Sequence, residues 1–357
     1  MNRFGASTWP IAIGIALSGP AFAQSSVTLY GIVDQSIRYT THANAANDGA
    51  VQMANGAITN SRWGLKGAED LGNGLKAIFR LENGFEPQSG QADGGRLFGR
   101  YAYVGLSGGF GTVELGRQTT EGFNLFGDLD PLTIGNYTAN MWPYFLTQGY
   151  ASNVVSYANS VGGLAVGASY GFGGVAGGMS RNAYWGVRSA YTHGALTVGA
   201  VYQQTRDADG RAQQMWGAAG RYVAGPATLF VGYLGGKDAT GTIDRDYLND
   251  PGRALAYGSF ADHPRYDAIG YAGVAYRIDP AITLTGAFYY DAIRNVNGVD
   301  GNGGKRYAGV LEAEYALSKA TQLYATVDYN KVSGDAVTEM PGRGNQTGVA
   351  VGLRHMF

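Results

Sequence analysis

The stretch Ser61–Pro87, SRWGLKGAEDLGNGLKAIFRLENGFEP, decides how the rest of the chain is read. Within a strand candidate running from about 55 to 69, Trp63 and Leu65 alternate with Arg62 and Lys66. Leu71-Gly72-Asn73-Gly74 then supplies a tight turn whose glycines and asparagine tolerate positive φ. After it, Leu75, Ala77, Phe79 and Leu81 stand opposite Lys76, Arg80 and Glu82. Period two predicts strands with one apolar and one polar face, here joined as a hairpin.

The same arithmetic extends in both directions. Upstream, Val27, Leu29, Gly31, Val33, Ile37 and Tyr39 alternate with Thr28, Tyr30, Asp34, Ser36 and Arg38. Downstream, residues 97–107 set Tyr101 and Tyr103 against Arg100, and Gly108-Gly109 turns the chain into 110–117. Further candidates lie near 152–159, 162–172, 183–193, 195–206, 212–224, 226–237, 265–278, 281–293, 305–317, 321–333 and 345–357, about sixteen in all. Connections at 160–163, 193–194, 224–226, 279–280 and 318–319 are short, whereas those near 41–54, 172–182, 238–264, 294–304 and 334–344 are mostly long and polar.

An even set of strands with short turns at one end and long loops at the other is what a transmembrane barrel requires. Lipid offers no partner to an open sheet edge, so closure is obligatory. A secreted sandwich or soluble barrel would also alternate. Against that alternative, the apolar face persists on nearly every strand, and Tyr39, Phe85, Tyr222, Tyr289 and Tyr290 near strand ends suggest an aromatic girdle.

Composition supports export without a membrane helix. Arg3 gives a positive start, Ile11 to Leu17 an apolar run, and Pro20-Ala21-Phe22-Ala23 a small-x-small cleavage site before Gln24. Residues 1–23 therefore read as a signal peptide and 24–357 as one barrel domain. No run of about twenty apolar residues follows. The formal net charge is −1, and removal of Arg3, the only charged residue before Gln24, would leave −2, which does not suggest a nucleic-acid partner. The 58 glycines are roughly twice the usual share of about 7%, but no Gly-X-Y period points to collagen. There is no cysteine, and His42, His193, His263 and His355 lack ligand spacing, so neither a metal nor a cofactor is expected.

The alternation stops at Gln118–Tyr150, QTTEGFNLFGDLDPLTIGNYTANMWPYFLTQGY. A loop of that length is functional or disordered, and its aromatic side chains Phe123, Phe126, Tyr137, Trp142, Tyr144 and Phe145 argue against disorder. It carries Glu121, Asp128 and Asp130 and no Lys or Arg, while the strands before it are rich in arginine. The expectation is that it folds into the channel with these acids facing the lumen, some of them across the bore from Arg62 and Arg100. On length alone, 238–264 competes for that place.

A resemblance adds to this reading. Leu29-Tyr30-Gly31, Ser61 to Gly72, Leu75 to Glu82, Ala102 to Gly111, Gly116-Arg117-Gln118 and the terminal Gly352-Leu353-Arg354-His355-Met356-Phe357 together resemble the general diffusion porins of Gram-negative bacteria, most closely the β-proteobacterial kind. The resemblance implies a homotrimer in outer-membrane lipid, each subunit a sixteen-stranded antiparallel barrel whose third external loop narrows the pore. It also implies passive passage of small hydrophilic solutes and ions. By motif, Arg62 and Arg100 would be wall arginines at the constriction, with Arg80 and Glu82 beside them, and Phe357 looks like the outer-membrane assembly signal. Tyr150 and Ser156 stand where related porins often carry basic residues, which weakens the positive wall.

Alternation independently puts Arg38, Arg62, Lys66, Arg80 and Arg100 on the face opposite the apolar one, together with Asp34, Glu82, Glu312, Glu314 and Asp328. A lipid-facing arginine costs roughly 2–4 kcal/mol at the midplane, so that face must be the lumen. Selection would then be by size and charge, with a weak anion preference. An outer-membrane hydrolase is the first alternative, since Gly167 to Gly171 and Gly105 to Gly109 match G-x-S-x-G. The first lies within a strand and the second in a hairpin turn, whereas a hydrolase elbow needs a strand-to-helix turn. A non-conducting adhesin or structural barrel is the second.

Overall fold

The computed structural model describes residues 26–357 apart from 136, 138–139 and 249–254, so the leader expected over 1–23 lies outside the described residues. Strand β1, Ser26–Thr40, sets the rule for the others. Val27, Leu29, Val33, Ile37 and Tyr39 are exposed outward, while Asp34, Ser36 and Arg38 are buried inward. Apolar surface faces outward and polar groups face inward, the reverse of a soluble protein and the arrangement lipid demands.

β2 has two segments, Ala50–Asn55 and Arg62–Gly72, and β3 is Leu75–Glu86. The ring continues through β4 Tyr101–Gly108, β5 Gly111–Thr119, β6 Tyr150–Val161, β7 Leu164–Gly171, β8 Tyr184–His193 and β9 Leu196–Arg206. It is completed by β10 Ala212–Ala224, β11 Ala227–Asp238, β12 Arg265–Arg277, β13 Ile282–Arg294, β14 Gly303–Ala316, β15 Thr321–Gly334 and β16 Asn345–Met356. Every strand is antiparallel to its neighbours, and β16 returns to β1 from Ile32↔Met356 to Thr40↔Gly348, closing a sixteen-stranded barrel. Gly31 and Phe357 exchange two backbone hydrogen bonds of 2.9 and 3.0 Å, which sew the chain end to the first strand.

The hairpin read first forms as expected: Gly72, Asn73 and Gly74 all have positive φ, at 87°, 53° and 76°, the left-handed geometry this turn needs. Its first strand differs from expectation. Residues 50–54, expected in a loop, pair with β1 together with Asn55, and 56–61, expected in the strand, leave the ladder. The cause is Asp34, whose carboxylate accepts the backbone N–H groups of Ile58 and Thr59 at 3.1 Å, while Ser61 Oγ exchanges hydrogen bonds with the Asp34 backbone. Asp34 therefore holds a bulge instead of facing open lumen. Tyr289 is a further correction: it is fully buried on the inner face and does not belong to the girdle, whereas Tyr39, Tyr222 and Tyr290 are exposed on the outside.

Inside the barrel lies an apolar cluster. Loop residues Leu125, Phe126, Leu129, Leu132, Trp142, Tyr144 and Leu146 pack against Val201, Met215, Leu234, Ile269, Tyr271 and Tyr289 of β9 to β13. On those strands the inner face is locally apolar because the loop, not water, covers it.

Close packing also fixes β16 at one glycine. A Cβ at Gly348 would sit 2.0 Å from an Arg38 guanidinium nitrogen and 2.6 Å from the Asp328 carboxylate. Gly348→Val must displace that guanidinium from a buried ion pair of 2.7 Å. Separating a buried pair costs about 3–5 kcal/mol. The expected result is a clear drop in the temperature at which the folded barrel loses its compact electrophoretic mobility; an unchanged temperature contradicts it.

Candidate pore constriction

Glu82 on β3 is the hub of the inner wall. It is fully buried, and it receives Arg80 at 2.5 Å, Arg100 Nε at 2.5 Å and the Tyr30 hydroxyl at 2.7 Å, with Arg62 NH1 at 3.9 Å. Strand register makes this possible: Glu82 lies opposite Gly64 on one side and Tyr101 on the other, and Arg80 lies opposite Lys66 and Tyr103. All these side chains share one face. Three guanidiniums surround one carboxylate, so the wall keeps a positive excess, and these guanidiniums remain 11–28% exposed. Lys66 is exposed on the same face with its ammonium 5.2 Å from the Tyr30 ring.

The loop from 120 to 149 opens with helix α1, Glu121–Leu129, whose N-cap Thr120 accepts the Phe123 N–H. Its first turn is held to the far wall: Glu121 N–H donates to Tyr184, Gly122 N–H to Gln203, and Arg188 Nε donates to the Glu121 carboxylate at 2.7 Å. Further along, Trp142 donates to Asn330 on β15, and Tyr137 donates to Ser36 on β1 with Arg38 4.1 Å from its ring centre. Anchors on β8, β9, β13, β15 and β1 place the segment across the lumen, and the arginine wall from β2 to β6 is left open.

Asp130 ties the bend after α1. One carboxylate oxygen accepts the backbone N–H groups of Leu132, Ile134 and Gly135 at 2.8–3.1 Å, and the other accepts Tyr144 and Tyr289 hydroxyls at 2.5 and 2.7 Å. Burial pushes this carboxyl above its ordinary value, and hydrogen bonds from Tyr144, Gly135, Tyr289 and Ile134 pull it back. Burial also pushes Glu121 up, against the pull of Arg188.

Two cavities flank the constriction. One, of about 1010 Å³, is lined by Arg100, Arg117, Phe123, Phe145 and Tyr150 among others; the second, of about 400 Å³, by Arg80, Tyr101, Asn124, Asp128 and Arg188 among others. Tyr150 of the larger cavity and Tyr101 of the smaller meet edge to face at 6.1 Å, and on α1 Phe123 of the larger adjoins Asn124 of the smaller.

This corrects the expected pairing of loop acids with wall arginines. Phe123 and Asn124 approach that wall, whereas Glu121 is held by Arg188, Asp130 is buried away from the bore, and only Asp128 is exposed, lining the smaller cavity. The carboxylate facing Arg62, Arg80 and Arg100 is the wall's own Glu82. Arg38 is likewise taken up, buried under Tyr137 and paired with Asp328. Arg188 was findable by alternation, since Val187 and Tyr191 face outward. Arg117 was not: it shares parity with the outward Leu115, but a bulge shifts the register between Gly116 and Gln118 and Arg117 lines the larger cavity.

The competing loop after β11 takes a different role. Arg265, fully buried, donates to Asp244 at 2.8 Å, Asp267 at 2.9 Å and Glu339 at 2.7 Å, joining that loop to the one before β16. Burial pushes Asp244 up to about 6. Tyr247 of the same loop stacks on Phe145 at 5.1 Å, so it braces the 120–149 segment.

Comparison with known proteins adds independent findings. The family model described as Gram-negative porin matches residues 8–335. An outer membrane porin protein of Bordetella pertussis is 31% identical over 97% of this chain and 98% of its own length. Outer membrane porin protein 32 of Delftia acidovorans is 31% identical over 96% and 97%. Among solved structures, one described as an anion-selective porin from Comamonas acidovorans superposes with a TM-score of 0.74 at 25% identity, covering 94% of this chain and all of that one.

Proposed function

The chain belongs to the Gram-negative porin family, and from that premise we propose how its lumen selects solutes. It is an outer-membrane diffusion channel, and its relatives are channels rather than enzymes. In our reading the wall of Arg62, Arg80 and Arg100 is the charged side of the constriction and the first turn of α1 is the opposite side, with Lys66 extending the positive lining.

The observation that carries a weak anion preference is the sharing of one carboxylate, Glu82, by three guanidiniums at the neck. The single counter-charge leaves the local potential positive, and pore water screens it, so the preference is modest. Small hydrophilic solutes pass without tight binding, because conduction requires that they leave as readily as they enter. Asp34, Arg38 and Asp130 act as struts in this reading, holding bulge, loop and wall in register. The chain would be exported with residues 1–23 removed, assembled with Phe357 as its terminal signal, and functional as a homotrimer.

The test is a planar-bilayer measurement with a KCl gradient. The expected result is stable channel steps and a reversal potential on the anion side. A cation-side reversal potential overturns the selectivity reading, and an absence of channels overturns the pore itself.

A further inference from the structure

The larger cavity has a lining that a water-filled pore wall does not require. Interiors of porin-type barrels are polar, yet Phe123 and Phe145 of the loop both line this one. They belong to two groups of rings. Phe123 lies 5.5 Å from Tyr150 at 38°, Tyr150 meets Tyr101 edge-on at 6.1 Å, and Phe145 is stacked with Tyr247 at 5.1 Å.

Cationic groups flank the first of these groups. The guanidiniums of Arg100 and Arg117 stand 5.3 and 5.6 Å from the centre of the Tyr150 ring. The two differ in what they have left to offer. Arg100 is bound to Glu82, whereas Arg117 donates to the Gly99 carbonyl at 2.6 Å and to Ser152 Oγ at 2.8 Å and has no carboxylate partner among the described residues. Glu86 and Asp93 line the same cavity and keep its overall charge low.

Resting on the channel reading above, we infer that Arg117, Tyr150, Phe123 and Phe145 form a weak transit subsite for aromatic carboxylates. The carboxylate takes the free charge and remaining donors of Arg117, and the ring of the solute lies against the aromatic side chains of the lining. An aliphatic carboxylate of equal charge and size gains only the first contact. Ring-on-ring contacts distinguish the two by roughly three- to tenfold, which enriches the aromatic acid without trapping it.

Benzoate and cyclohexanecarboxylate are the probes, each added as the sodium salt to the purified protein in a planar bilayer with KCl as the carrier electrolyte. The expected result is that benzoate reduces the KCl current at a concentration roughly three- to tenfold lower than cyclohexanecarboxylate does. In the Phe123→Leu, Tyr150→Leu double variant the two acids should become equal, and Arg117→Gln should weaken both. Equal potency of the two acids on the natural protein overturns the subsite, and this comparison does not depend on any variant folding. A difference that survives the double variant, in channels that still conduct KCl, also overturns it. Absence of any KCl channel defeats the underlying channel reading instead.

Discussion

Glu82→Gln is expected to raise the anion-over-cation permeability ratio by roughly fivefold and to lower the stability of the barrel. The substitution keeps the shape and an acceptor for Tyr30 but removes the only carboxylate shared by Arg62, Arg80 and Arg100. One unit of charge about 8 Å from a passing ion, at the dielectric of about 80 of pore water, is worth ~0.5 kcal/mol with opposite sign for anion and cation, so the ratio moves by ~1 kcal/mol, hence the fivefold figure. Breaking a fully buried pair costs about 3–5 kcal/mol. These arginines keep partial access to pore water, so a loss of roughly 2 kcal/mol is the better expectation. Reversal potentials in a KCl gradient read the first effect and thermal loss of the folded form the second. An unchanged permeability ratio would mean that the constriction lies elsewhere.

Asp130→Ala should release the loop. Five donors converge on this carboxylate, three from a single backbone bend and two from tyrosines that reach it from within the loop and from β13. Hydrogen bonds to a charged group contribute about 1.5–3 kcal/mol each, and buried donors left without a partner are costly. Water from the lumen can replace some of them, which leaves a local destabilisation of roughly 4 kcal/mol. Three consequences are expected: noisier single-channel currents, a larger exclusion limit for neutral sugars in liposome swelling, and new protease cleavage between 120 and 149. Asp130→Asn, which keeps an acceptor for the tyrosines, should show weaker versions of the same effects. Wild-type noise, exclusion limit and cleavage in the alanine variant would show that the segment is held mainly by its apolar packing.

The two residues show how differently wall and loop can be read. Glu82, Arg62 and Arg80 were legible because their placement needs only parity along two adjoining strands, and a hairpin with Gly72-Asn73-Gly74 fixes the register. The acids of the loop were legible as residues of interest, but their partners were not. Glu121 finds Arg188, 67 residues away, and Asp130 finds Tyr289, 159 away. A signal for the docking side did exist: Met215, Leu234 and Ile269 interrupt the polar inner face of β10, β11 and β12. Inner apolar residues on consecutive strands mark the part of the wall that something other than water must cover.

By itself the sequence determined the barrel. Side-chain direction in a strand alternates with period two, lipid outside and water inside reward opposite faces, and the turns are written in glycine and asparagine, so each decision is local. Only the tertiary structure decided which charges meet across the lumen. Those pairings depend on where a thirty-residue segment without strand periodicity comes to rest, and on a bulge such as that at Gly116, which shifts the register by one residue. Ion-pair partners are chosen by the closed ring as a whole, as when β16 returns to β1 and brings Asp328 of β15 within 2.7 Å of Arg38.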